Sequence, residues 1–154
     1  MDLSRKPEVL YRASLERMAV AWRAFDDAGD YALASYLAGL AVECILQAVA
    51  LKVGAAHDAA HALPKWLAKC PRGLQDSIKT QVGDEWSLLV SLWENGIRYL
   101  SRDGFLGYLR DKGCAVGIRG GPEAVMRKNT KSLVSAADAV HKKGLAQWVS
   151  FTKK

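Results

Sequence analysis

The sequence predicts an all-α protein, an antiparallel bundle of about five to six helices in a single domain spanning residues 1–154. Apolar residues recur at spacings of three and four along most of the chain, and no alternating run indicates a sheet. The 154 residues are 50% hydrophobic and 25% charged, which is ordinary for one domain with a single core.

The first helix is expected to begin near Pro7 and to end at Gly29. Proline suits the first turn of a helix, and glycine suits the position after the last turn. The apolar residues between them follow helical spacing and are expected to face the core: Tyr11, Leu15, Met18, Trp22 and Phe25.

The second helix is predicted over Asp30 to Val53, with Asp30 as its cap and Gly54 at its end. Its predicted inward seam is Leu33, Leu37, Leu40, Cys44, Gln47 and Leu51, and Ile45 is expected to be inaccessible. Rows of small residues allow a neighbouring helix to come close: Ala34 with Ala38, and Ser35 with Gly39. This is the expected central helix.

The same stretch is long enough to cross a membrane, but its polar residues argue against that role. Glu43 and Gln47 lie near its middle, and an acidic residue at a helix centre costs roughly 2.5–3.5 kcal/mol on insertion. The N-terminus lacks the apolar core of a signal peptide, and the three cysteines form no Cys-x-x-Cys pair. A cytoplasmic protein without a bound cofactor is expected.

Three further helices are predicted in the middle of the chain. Pro64 opens a short helix that runs through Lys69, and Asp84 caps a longer one. A short amphipathic helix between them follows from Leu74, Ile78 and Val82; the longer one contains Trp86, Leu89, Val90, Trp93 and Ile97. On that longer helix Asn95, Arg98 and Arg102 would share a face.

Residues 101–121 hold 6 of the 13 glycines and are predicted to form a basic loop or a partly ordered excursion. The last helix is expected to start at Pro122 and to stop at Gly144. Its predicted inward residues are Val125, Met126, Leu133, Ala136, Ala137 and Val140.

Charge is unevenly distributed along the chain. Residues 1–97 hold 10 Lys and Arg against 12 Asp and Glu, a net charge of −2, whereas residues 98–154 hold 12 against 4, a net charge of +8. Such asymmetry favours an anionic partner, although a solvated face has the same composition.

Three segments together resemble the HEPN domain family, over about residues 10 to 140. The segment "DYALASYLAGLAVECILQAVALKVG" is similar to the small-residue-rich second helix of that family, "HALPKWL" to its His-x-Leu-x-x-Leu segment, and "WENGIRY" to the Arg-Tyr ending of a later helix. The resemblance implies a helical bundle that dimerises across its central helices. Many members are metal-independent endoribonucleases; others are inactive partners of nucleotidyltransferases, or bind nucleotides or RNA in toxin-antitoxin and defence systems.

The active members carry Arg-x(4–6)-His, and this sequence departs from that pattern. After Arg98 the required positions are occupied by Asp103, Gly104 and Phe105. Cleavage through the 2′-hydroxyl needs a proton acceptor and a donor near neutral pH, which arginine does not provide. We therefore expect a HEPN-like accessory protein associated with nucleic acid or nucleotide, acting as a homodimer or beside a nucleotidyltransferase-type partner. The expectation leans towards a protein that is not an enzyme.

Two alternatives remain open at this point. One is a metal-independent endoribonuclease with a rearranged site, in which His61 approaches Arg98 in space and Asn95 assists. The other is a helical bundle that binds a small ligand or nucleotide, with a phosphate at the Gly117 to Pro122 turn, where glycines precede a helix N-terminus.

The anion-binding candidates centre on Arg98, with Asn95 orienting a ligand and Tyr99 available for stacking. The alternative for Arg98 is a surface ion pair with Glu94. Further cations complete a predicted RNA surface, in which Phe105 and Tyr108 would stack on bases: Arg102, Arg110, Lys112, Arg119, Arg127, Lys128 and Lys131.

Two polar features are expected to be structural. Glu43 lies among aliphatic residues and should be paired if buried, with Arg98 as a possible partner. His57 and His61 are four residues apart but form only half of a metal site, so capping or packing roles are favoured and no metal is predicted.

Overall fold

A computed structural model of the protein describes residues 2–152, which form an all-α bundle with no strand. The α-helices of this part of the chain are α1 (Pro7–Arg23), α2 (Tyr31–Lys52), α3 (Leu63–Ala68), α4 (Arg72–Gln81), α5 (Gly83–Leu92), α6 (Arg102–Asp111) and α7 (Gly121–Ser150). Short 3₁₀ turns occupy Leu3–Arg5 and Asn95–Tyr99, and a π-helical turn, Ala24–Ala28, extends α1 to Gly29. The all-α prediction is confirmed.

The centre of the bundle is α2, which packs mainly against α1 and α7. Asp30 caps it, because its carboxylate accepts a hydrogen bond from the Leu33 N–H at 3.3 Å. By length and composition α2 could cross a membrane, a criterion that core helices of soluble proteins also meet. Most of α2 is buried, so packing beneath α1 and α7 accounts for its apolar composition.

The buried face of α2 is not the predicted leucine seam. Leu33 is 42% exposed, and Leu37 and Leu40 are only partly buried. Cys44 is the one member of that seam that is buried as predicted. Six of the ten fully buried residues of α2 are alanine or serine: Ala34, Ser35, Ala38, Ala41, Val42, Ile45, Leu46, Ala48, Val49 and Ala50. Neighbouring backbones approach closest where side chains are short, so the small-residue rows take the contact, and Leu33, Leu37 and Leu40 lie at its edges. The prediction for Ile45 is confirmed, and those for Leu37 and Leu40 are wrong.

The inward face of α1 is shifted for the same reason. Met18 and Phe25 are buried as predicted, but Leu15 is exposed, and Ser14 and Ala21 are buried in its place. The predicted end at Gly29 is confirmed, since Gly29 has the left-handed conformation of a helix-ending glycine with φ of 59°.

Glycine at position 144 continues α7 instead of ending it, which corrects the prediction. The helix runs on to Ser150, and Gly144 is buried where α7 crosses α2. A Cβ atom on Gly144 would lie 2.8 Å from the Ile45 Cγ1 atom. This glycine therefore permits close approach of two helices.

Residues 82–111 depart most from the prediction. Asp84 lies in the first turn of α5, with Val82 at the cap position, and α5 ends at Leu92. Trp93 adopts an extended conformation, so the Asn95–Tyr99 turn is separate from α5 and from α6. The predicted shared helical face of Asn95, Arg98 and Arg102 is therefore wrong.

Half of the predicted loop at residues 101–121 is the helix α6. Ser101 caps it by accepting a hydrogen bond from the Gly104 N–H at 3.1 Å. Phe105 and Leu109 point into the core, and the Tyr108 hydroxyl donates to the Leu92 carbonyl at the end of α5. The burial of Phe105 and Leu109 offsets the low helix propensity of the two glycines within α6.

Candidate functional site

A buried carboxylate lies in the middle of α2. Glu43 is 3% exposed, and its Oε1 atom accepts hydrogen bonds from Gln47 Nε2 at 3.0 Å and from His61 Nδ1 at 2.8 Å. Burial raises the pKa of Glu43, and the hydrogen bonds from His61 and Gln47 limit that rise. Glu43 is paired as expected, but its partner is His61 and not Arg98.

His61 reaches Glu43 from the non-helical segment between α2 and α3. Two contacts hold that segment: the Trp66 Nε1–H donates to the Ala60 carbonyl at 2.9 Å, and Asp58 accepts from the Ala60 N–H at 2.9 Å. The side chain of His61 is 50% exposed. Because the carboxylate accepts through Nδ1–H, the Nε2 atom of His61 is left available to a ligand.

His61 and Asn95 line one cavity of about 230 Å³, together with Ala62, Leu63, Pro64, Val90, Trp93 and Glu94. Asn95 Oδ1 and Glu43 Oε2 are buried and have no hydrogen-bond partner among the described residues. Such atoms are uncommon in folded proteins. Two of the three predicted catalytic candidates, His61 and Asn95, are therefore brought together at a mostly apolar cavity.

Arg98, the third catalytic candidate, is not among the described residues that line this cavity. It lies on the Asn95–Tyr99 turn with its guanidinium carbon 4.5 Å from the centroid of the Tyr99 ring. No ion pair joins Arg98 to Glu94 within residues 2–152. Since α5 ends at Leu92, the i,i+4 relation that this pair requires does not exist.

A second cavity, of about 380 Å³, lies beside the start of α7. Four of its described lining residues are cations, and none is acidic. The lining consists of Gly117, Ile118, Arg119, Ala124, Arg127, Lys128 and Lys131. Gly117, Gly120 and Gly121 have positive φ angles, which turn the chain into α7. This basic cavity gathers the predicted anion-binding residues Arg119 and Lys128.

Arg102 is exposed but makes contacts within the chain. Its guanidinium forms an ion pair with Glu123 and lies 5.6 Å from the centroid of the Tyr31 ring. The Tyr31 hydroxyl donates to Glu123 Oε1 at 2.6 Å, and this hydrogen bond, with help from Arg102, lowers the pKa of Glu123. These contacts link the start of α6 to the starts of α2 and α7.

The predicted RNA surface needs a second correction. Phe105 is buried in the core, and the Tyr108 hydroxyl is bonded to the Leu92 carbonyl, so neither ring is free to stack on a base. Arg110 is exposed on the last turn of α6 but does not line the basic cavity. Among the described residues, Tyr99 is the one exposed aromatic side chain.

His141 was not singled out by the sequence. It is buried on α7, and its Nε2 atom lies 2.9 Å from Ser14 Oγ on α1. Ser14 donates its own hydrogen to the Tyr11 carbonyl at 2.7 Å, so His141 is the donor in this pair. Burial lowers the pKa of His141 to about 4. His141 follows the buried Ala137 by four residues on α7, so helical spacing in the sequence predicts that it faces inward.

Within residues 2–152 no three His, Cys, Asp or Glu side chains are grouped so that they could hold a metal ion. His57 is exposed and takes no part in the Glu43–His61 hydrogen bond.

Comparison of the chain with protein-family models, with curated proteins and with solved structures gives no match. The fold and the two cavities define an all-α bundle with a buried carboxylate bonded to a half-exposed histidine, and with a basic cavity.

Proposed function

We propose that this chain is an RNA- or nucleotide-associated accessory protein related to HEPN domains, acting in a toxin-antitoxin or defence setting. The observation that supports it is the basic cavity, where Arg119, Arg127, Lys128 and Lys131 meet with no acidic residue among the described lining. Phosphate groups are the anions that such a surface binds best. The net charge of +8 over residues 98–154 acts in the same direction.

RNA binding at the basic cavity can be tested with a charge-matched pair of triple variants. The first is Arg127→Ala, Lys128→Ala and Lys131→Ala. The second removes one arginine and two lysines elsewhere, as Lys65→Ala, Arg72→Ala and Lys79→Ala on α3 and α4. Anisotropy titrations with a short single-stranded RNA are measured at several salt concentrations.

The cavity variant should bind more weakly, and its salt dependence should fall by about 2 in the slope of log K against log salt, at about 0.7 per lost phosphate contact. The control variant should keep the slope of the unmodified protein. Equal losses in both variants would mean that total charge, and not the basic cavity, governs binding.

A metal-independent ribonuclease with a rearranged site is the second candidate function. The half-exposed imidazole of His61, positioned by buried Glu43 and facing the cavity of Asn95, supports it because Nε2 can accept the proton of a 2′-hydroxyl. It ranks second because no arginine or lysine is among the described residues lining that cavity. Cleavage also requires a cation or donor on the phosphate.

The ribonuclease candidate is tested by incubating RNA with purified protein in the presence of a chelator. Under the accessory function no cleavage is expected. Cleavage that is lost in His61→Ala and retained in His57→Ala would replace the accessory proposal with the enzymatic one. His57 is a suitable control because it is the nearby histidine without the Glu43 contact.

We further propose a homodimer, with α2 in the interface, as the family resemblance implies. Leu33, Leu37 and Leu40 form a partly exposed apolar edge on this helix. Sedimentation at micromolar concentration should give about twice the 16.8 kDa of one chain. A single species of one chain's mass would contradict the proposed homodimer.

A nucleotidyltransferase-type protein remains the proposed partner in the cell.

A further inference from the structure

An arginine–tyrosine pair stands on the surface at the Asn95–Tyr99 turn. The ring of Tyr99 is 75% exposed, and the guanidinium carbon of Arg98 lies 4.5 Å from its centroid. The two side chains together present a cationic and aromatic surface. We call this pair the stacking platform.

The turn beneath the platform is firmly attached to α2. Ile97 is buried, and its carbonyl accepts a hydrogen bond from the Leu100 N–H at 3.0 Å. Just before the turn, the Trp93 indole packs directly on Gly39 of α2 and donates to the Tyr36 carbonyl at 3.1 Å. The backbone of Arg98 and Tyr99 is therefore held in place while both side chains remain outside.

We infer that Arg98 and Tyr99 bind an unpaired nucleobase of single-stranded RNA by stacking. The inference rests on the proposed RNA association and adds the form of RNA and a second contact point. Tyrosine rings and arginine guanidinium planes are the groups on which splayed-out bases stack. A duplex keeps its bases stacked on one another and leaves none for the platform.

The platform and the basic cavity both have chain neighbours in the lining of one further pocket. Leu100 and Arg102 follow the platform in the chain and line this pocket, of about 300 Å³, with Tyr31 and Met126. The residue after Met126 is Arg127, which lines the basic cavity. The pocket itself is not basic, because Glu123 pairs with Arg102 and Asp30 also lines it. A strand that reaches both sites is held by a base on the platform and by phosphates in the cavity.

The test compares three ligands: a single-stranded RNA, an abasic strand of the same length, and the duplex. The variants are Tyr99→Ala, Tyr99→Phe and Val149→Ala, the last a control at an exposed apolar position on α7. Tyr99→Ala should weaken binding of the single strand about tenfold, the expected scale for one lost stacking contact. Tyr99→Phe keeps the ring and should bind like the unmodified protein, as should Val149→Ala.

The salt dependence separates this inference from the proposed function. Tyr99→Ala removes no phosphate contact, so its salt slope should equal that of the unmodified protein, unlike that of the Arg127, Lys128 and Lys131 variant. The unmodified protein should bind the abasic strand and the duplex about as weakly as Tyr99→Ala binds the single strand. Circular dichroism should show unchanged helix content, because Tyr99 is exposed.

Equal affinity of the unmodified protein for the abasic and the intact strand would overturn stacking while leaving RNA association in place. Absence of binding to any RNA would overturn both proposals. If Tyr99→Ala weakens binding of the single strand and the cavity variant does not, stacking is supported and the basic cavity is not part of the RNA site. A change of sedimenting mass on Tyr99→Ala would make the platform an interface between two copies of the chain, and would also overturn the inference.

Discussion

The polar chemistry of the N-terminal part of this protein points inward, and that of the C-terminal part points outward. In the first part, Glu43 on α2 is bonded to His61, and Ser14 on α1 is bonded to His141 of α7. In the second, Arg119, Arg127, Lys128 and Lys131 line an open cavity. The difference shows that net charge along the chain locates the exposed cationic surface but does not identify the polar groups that the fold itself uses.

The largest expected effect comes from the core of α2. Ile45→Ala removes a fully buried side chain packed against Gly144 of α7, and should cost about 2–5 kcal/mol of unfolding free energy. Leu40→Ala, on the partly exposed edge of the same helix, should cost clearly less. Urea titrations of both variants check this ranking. Equal costs would mean that the leucine edge is as buried as the small-residue face, for example in a dimer.

A pH effect of about 3 kcal/mol is expected from His141. Its pKa falls from 6.5 to about 4 on folding, so its contribution is fully present above pH 6.5 and is lost as pH falls towards 4. His141→Gln keeps a donor for Ser14 and should flatten the stability profile over this range. Glu43 titrates with the opposite sign, because its raised pKa makes ionisation destabilising as pH rises.

The His141 profile is therefore measured in a Glu43→Gln background, by urea unfolding at several pH values. The same profile with His57→Gln is the control, since His57 is exposed. A profile that stays equally steep after His141→Gln would assign the acid sensitivity to other groups.

A smaller effect, about 1–2 kcal/mol near neutral pH, is expected for His61→Ala, because it leaves Glu43 buried with Gln47 as its remaining partner. The exposure of His61 keeps the effect modest. In the Glu43→Gln background the same change should cost much less. The double-mutant cycle, followed by thermal or urea unfolding, measures this coupling. A coupling energy near zero would show that the hydrogen bond between Glu43 and His61 does not stabilise the fold.

The smallest effect concerns the cap of α6 in the outward-facing part. Ser101→Ala removes the acceptor for the Gly104 N–H and should cost about 1 kcal/mol. Asp30→Ala at the cap of α2 removes an equivalent contact and should cost a similar amount. Urea unfolding of both variants checks this. A much larger loss of unfolding free energy in Ser101→Ala than in Asp30→Ala would show that the Ser101 cap stabilises more of the structure than the first turn of α6.

Much of the fold followed from local sequence signals. The caps and stops at Pro7, Gly29, Asp30 and Pro64 act over a few residues, so they could be read directly. The errors arose where the deciding contact is distant. The local pattern predicts a helix end at Gly144, because its partner, Ile45, lies about a hundred residues away in the chain. The two glycines in α6 concealed a helix that Phe105 and Leu109 stabilise from the core.

The candidate sites divide in the same way. The basic composition around Arg119 and Lys128 and the exposed tyrosine beside Arg98 follow from sequence neighbours, since residues close in the chain form these surfaces. The pairing of Glu43 with His61 could not be assigned, because a buried carboxylate accepts from whichever donor the fold delivers.

The sequence by itself determined the helices, their main end signals and the uneven charge, because hydrophobic period, capping and charge are properties of short segments. The tertiary structure decided which face of α2 is buried, where α5 ends, and which polar groups meet. Those outcomes depend on how closely helices approach one another. That approach is set by Ala34, Ala38, Gly39 and Gly144 against partners that are distant in the chain.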